Sequence, residues 1–120
     1  MVEFGAVDCP ARWMRAADAV ILPTRYDAAA NTTLEAMASG VPAITSAADG
    51  NAELVPDPKL VVSDPTNVDG FAHALHHAWQ GRTALGLQCR AVAESWPVSR
   101  NGMDFEALYT RWTNGETTSR

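Results

Sequence analysis

Residues 19–40 read AVILPTRYDAAANTTLEAMASG, and the order of residue types in this stretch decides the fold. Ala19, Val20, Ile21 and Leu22 make a short continuous apolar run, as expected of a parallel strand buried on both faces. Pro23 has no ladder donor and ends it. Asn31, Thr32 and Thr33 are candidate helix caps, Leu34, Ala36, Met37 and Ala38 favour helix, and Gly40 closes the element. The pattern is a strand, a small-residue loop and a helix N-terminus.

A helix that starts at the carboxyl end of a parallel strand attracts anions, because its unpaired N–H groups and the positive end of its dipole meet at one spot. The stretch therefore predicts a phosphate-bearing ligand. Ala28, Ala29 and Ala30 leave the backbone open to close approach. Asp27 and Glu35, with seven residues between them, bracket it with carboxylates that suit sugar hydroxyls. On the residues alone, a plainer reading stands beside this one: Asp27 as a solvated loop residue and Glu35 as an exposed helix residue.

The run R-Y-D-x7-E-A-M-A-S-G-V-P-A-I-T from Arg25 to Thr45 resembles the nucleotide-sugar signature E-x7-E of retaining glycosyltransferases with the GT-B fold, group 1 type. The resemblance implies that Glu35 holds the ribose hydroxyls, that Asp27 meets the donor sugar as the catalytic-site carboxylate, and that the amides of Ala29, Ala30, Asn31 and Thr32 hold the diphosphate. F-G-x-V at the start of the chain resembles the family's base-contacting turn and implies Val7 as a nucleobase contact. The Ala-Ala loop is similar to that of lipopolysaccharide core glucosyltransferases. Asp27 is one methylene shorter than the family's glutamate, and Ala30 stands where glycine is common.

The chain has 120 residues, 47% of them hydrophobic, which bounds it to one globular domain with a modest core. Nine basic and fourteen acidic residues give a net charge of −5 without charge blocks, which argues against a nucleic-acid surface. Cys9 and Cys89 are too few for a disulfide framework. With neither a leader pattern nor a long apolar span, a cytoplasmic location is expected, peripheral to the inner membrane as part of a longer enzyme.

Residues 2–7 alternate weakly and predict a first strand, followed by a helix with Pro10 in its first turn and Trp13, Met14 and Ala17 facing inward. Residues 41–46 and 60–62 read as two further strands. Between them, 48–51 is turn-prone, and Glu53 takes a structural role. Thr66 and Asp69 have capping-box spacing before a helix with Val68, Phe71, Ala72, Leu75, Ala78 and Trp79 as its buried stripe. Leu85, Cys89, Val92 and Trp96 predict a second helix, and Phe105, Leu108, Tyr109 and Trp112 a third. His73 and His77 have zinc-site spacing but no further ligand nearby, so no metal is expected.

The expected class is α/β: a partial doubly wound, Rossmann-like parallel sheet of about four strands with flanking helices and a C-terminal helical pair. Residues 1–112 would form part of a nucleotide-sugar-binding domain, and 113–120 a disordered tail. By the resemblance, the function is the donor-binding part of a metal-independent transferase moving a hexose from a UDP-sugar to a saccharide or glycolipid acceptor. The acceptor domain, the first two strands and a basic pair lie outside this sequence, so the isolated chain is expected to be inactive. The rival is a non-catalytic interaction module, a truncated paralogue pairing through exposed edge strands. Epimerase or phosphorylase chemistry on the same architecture is a third reading.

Overall fold

The computed structural model describes residues 5–115. A short helix α1 (Pro10–Ala16) leads to strand β1 (Val20–Leu22), helix α2 (Asn31–Ala38) and strand β2 (Ala43–Ser46). Two 3-10 turns, Gly50–Leu54 and Pro58–Leu60, precede strand β3 (Val61–Val62), and two helices follow, α3 (Val68–Glu94) and α4 (Val98–Thr113). The class is α/β with a parallel sheet in the order β1-β2-β3. Register is set by Val20 opposite Ala43 and Leu22 opposite Thr45, then Thr45 opposite Val61.

Every residue of β2 is buried, as a central strand covered on both faces requires, and its Thr45 and Ser46 hydroxyls are hydrogen-bonded within the protein. α2 packs on β1 and β2, and α3 lies against α2, β2 and β3. Met37, Ile44 and Leu60 are almost wholly removed from water, and burial of a side chain of that size contributes about 1.5–3 kcal/mol. Ala36, Ala74, Ala78 and Cys89 close the core around them. Both cysteines are free, and burial pushes the Cys89 thiol pKa up.

The α/β class with a partial parallel sheet and a C-terminal helical pair is as expected; among the described residues the sheet has three strands, Gly5, Ala6 and Val7 belong to none, and the rest of the expected first strand lies outside the described residues. Several other expectations are corrected. β1, which has only β2 as a neighbour among the described residues, is not buried on both faces: Ile21 is exposed. In α1 Met14 packs on the core, whereas Trp13 and Ala17 face solvent. The two helices read from the Val68 and Leu85 stripes are one helix of 27 residues, α3.

The buried side of α3 carries Ala74, Ala78, Leu85, Gly86 and Cys89, with Phe71 half-buried, while Val68, Leu75 and Trp79 are exposed. Small side chains occupy that face where α3 lies close to the turn after α2. Asn67, not Thr66, caps α3 by accepting from the Gly70 N–H at 2.9 Å. Thr113, assigned to the tail, is the last residue of α4, and 116–120 lie outside the described residues.

Candidate functional site

The loop from Pro23 to Ala30 leaves the carboxyl end of β1 and is fastened to the loop after β2. Asp27 N–H donates to Ala48 O at 3.1 Å, and Gly50 N–H donates to Asp27 O at 2.9 Å. These bonds form a parallel bridge between Asp27 and Asp49. The sequence allows it because position 50 is glycine: a Cβ there would lie 1.8 Å from Ala28 O. α2 then starts at Asn31, with Ala30 as its N-cap and no capping by its own side chains.

The cap comes from elsewhere. Asp49 is 2% exposed, and its Oδ1 accepts from Ala30 N–H at 3.1 Å and from Asn51 N–H at 2.9 Å. Its Oδ2 accepts from the Thr33 hydroxyl at 2.6 Å and the Thr45 hydroxyl at 2.9 Å. Asn51 Nδ2 returns a bond of 2.9 Å to Ala30 O. Burial raises the Asp49 pKa, but the bonds from Thr33, Asn51, Ala30 and Thr45 outweigh it and hold the carboxyl below its ordinary value. A charged carboxylate thus sits under the positive end of α2.

The residues assigned from sequence fall as follows. Asp27 is half-buried, and its Oδ1 accepts from Ala29 N–H at 3.1 Å in a local Asx turn. The amides of Ala29 and Ala30 are therefore each bonded to a carboxylate within the protein. Those of Asn31 and Thr32 have no acceptor among the described residues. Glu35 is exposed on α2, and its carboxylate makes no hydrogen bond or ion pair among the described residues. Val7 lies ahead of α1 outside any regular element, 41% exposed.

Beyond the carboxyl end of β2 an open hollow of about 570 Å³ is lined by Ala47, Asp49, Gly50, Glu53 and Val61 among others. That volume is in the ordinary range of small-molecule sites, roughly 300–1,000 Å³. It adjoins the fastened loop through Asp49 and Gly50, and none of the residues assigned from sequence lines it. Glu53 is exposed there in the first turn of a 3-10 element that Asp49 caps.

His73 and His77 serve separately. His73 Nδ1–H donates to Asp69 O at 2.7 Å, and His77 Nε2 pairs with Asp57 Oδ2 at 2.7 Å. Among the described residues no group of three or more His, Cys, Asp or Glu is placed to hold a metal ion. Among them, too, no helix is long and apolar enough to cross a membrane.

Residues 2–80 match the family profile described as Glycosyl transferases group 1. The chain belongs to the group 1 glycosyl transferases. This glycosyl transferase chain is 32% identical over 101 residues to a D-inositol 3-phosphate glycosyltransferase of Frankia alni, an alignment covering 78% of the chain and 24% of that relative. It therefore spans about a quarter of the relative's length. No solved structure matches it. The matched region runs from the segment before α1 into α3 and includes the whole sheet.

Sequence reading named Thr33 as a candidate cap but missed Asp49, Thr45 and Asn51, and Thr33's bond to Asp49, as the organisers of the α2 N-terminus. The signal available was a turn-prone Asp-Gly-Asn triplet. What turns Asp49 inward is the pairing of β1 with β2, which places Thr45 beside the loop.

Proposed function

We propose that this chain carries the donor side of a retaining, metal-independent group 1 transferase that moves a hexose from a UDP-sugar to a saccharide or glycolipid acceptor. The observation that carries the reading is the α2 N-terminus at the carboxyl end of β1, flanked by Asp27 and Glu35, in a chain of this family. Asn31 and Thr32 offer amides to the diphosphate, the Thr32 hydroxyl adds a donor, Glu35 anchors the ribose hydroxyls and Asp27 orients the donor sugar. Ala29 and Ala30 shape the loop that brings the phosphates in, and Val7 meets the base.

The relative's name makes D-inositol 3-phosphate its substrate, a polar polyol, and a saccharide or lipid-linked sugar fits the same acceptor class. Such an enzyme works on the cytoplasmic side of the membrane. Transfer needs a positioned acceptor and charge stabilisation on the leaving diphosphate, so the isolated chain binds donor without turning it over.

A second reading, a non-catalytic interaction module, is favoured by one observation: α4 buries none of its residues, although Phe105, Leu108, Tyr109 and Trp112 lie along it.

Calorimetric titration of the chain with UDP and UDP-glucose separates the two. The donor reading expects binding that Glu35→Gln weakens by about 1–3 kcal/mol, the cost of leaving a hydrogen-bonding group without its partner. An unchanged affinity removes Glu35 from the site. Absence of binding by the folded chain transfers the case to the interaction module, whose mark is self-association in light scattering.

A further inference from the structure

We infer that Asp49 is a built-in anion that sets the register and strength of diphosphate binding at the α2 N-terminus, a positioning residue within the donor site on whose assignment this inference rests. Its two oxygens receive four donors: the Ala30 and Asn51 amides and the Thr33 and Thr45 hydroxyls. Four is the full acceptor capacity of a carboxylate. At 2% exposure nothing is left to meet a ligand or solvent. The carboxylate therefore stays in place when donor binds, and it claims the Ala30 amide.

Two consequences follow. The phosphates are confined to the next amides along the helix, those of Asn31 and Thr32, which have no acceptor among the described residues. A fixed negative charge close to that spot also opposes a second anion, while the neutral nucleoside does not feel it. Asp49 thus trades affinity for order: it holds the loop in its binding shape and weakens the hold on the diphosphate, which suits a product that must leave.

Asp49→Asn tests this, because the amide keeps the shape and removes the charge. Its oxygen still accepts from Ala30 and Asn51, and the two protons of its Nδ2 face the Thr33 and Thr45 hydroxyls, which turn from donors to acceptors; the Thr45 proton then turns to Leu22 O at 3.2 Å. The readout is the affinity for three probes, UDP, inorganic pyrophosphate and uridine, at low and high salt. The inference expects UDP and pyrophosphate to bind at least about five-fold tighter to the variant at low salt, the water-screened limit for one charge pair about 4 Å apart, with less gain at high salt. Uridine should be unaffected.

Equal changes for UDP and uridine, or weaker UDP binding, overturn the inference and reduce Asp49 to a scaffold residue. Should Asp49→Asn fail to fold, the unaltered chain decides through its backbone amide resonances. UDP should move Asn31 and Thr32 most, and a larger shift at Ala30 overturns the proposed register. An unaltered, folded chain that binds no UDP removes the donor-site reading itself, and this inference with it.

Discussion

At the scale of single residues, the site depends on a missing side chain as much as on those present. Gly50 meets Ala28 backbone to backbone, and its N–H holds Asp27 O at 2.9 Å. A methyl group at this position points at a carbonyl oxygen 1.8 Å away, and backbone on both sides leaves no side chain to swing aside. Gly50→Ala must push the two loops apart, breaking the Asp27 bridge and loosening the Asp49 network behind it. Overpacking of this kind costs about 1–3 kcal/mol, read as a lower urea midpoint at unchanged slope. Gly102→Ala is the control: nothing lies within 4 Å of its Cβ position, and a helix interior favours alanine. An unchanged midpoint for Gly50→Ala would mean that the loops are not fastened as described.

At the scale of elements, the same close approach recurs between α2 and α3. Gly86 on α3 faces Gly40 O, 2.2 Å from where a Cβ would stand, and Arg90 one turn on donates to Ala38 O at 2.8 Å. Gly40 itself takes a φ of +76° to end α2. Gly86→Ala therefore sets two effects against each other. Helix propensity gains about 1 kcal/mol, while the clash with the Gly40 backbone carbonyl costs about 1–3 kcal/mol. The clash should prevail and lower the thermal midpoint; a rise would show that α3 can slide. This contact also explains what sequence could not reveal. β1, α2, β2 and β3 were legible because apolar runs are bounded by Pro23 and Gly40 and because α2 carries good helix formers. α3 was legible only in part: Ala78, Leu85 and Cys89 of its inner face were read, but as two helices, and Ala74 and Gly86, residues that register weakly in a hydrophobic stripe, were not, while Trp79 and Leu75 stand outside. In the candidate site the spacing of Asp27 and Glu35 was legible, but the inward turn of Asp49 was not. Its partners Thr33 and Thr45 come from α2 and β2, and only the tertiary fold brings them together.

At the scale of the whole molecule, α4 stands apart. The Cα radius of gyration is 16.6 Å, against roughly 13 Å for a compact domain of this size. None of the α4 residues is buried, and Met103, Phe105, Leu108, Tyr109 and Trp112 are each at least half exposed. Most helical stability in proteins comes from packing, and a 16-residue helix in water is close to the marginal length of about 12–15 residues. The core formed by the sheet, α2 and α3 should therefore hold without it. A chain ended after Trp96 is expected to keep its stability within about 0.5 kcal/mol, as surface changes do. In the full chain, α4 amides should exchange with solvent far faster than those of β2. Calorimetric unfolding of the shortened chain, beside hydrogen exchange of the full one, checks both. A lower midpoint together with protected α4 amides would mean that the apolar residues of α4 are covered in solution, by the core or by a second chain. Unfolding at several protein concentrations tells these apart, since only cover by a second chain makes the midpoint rise with concentration.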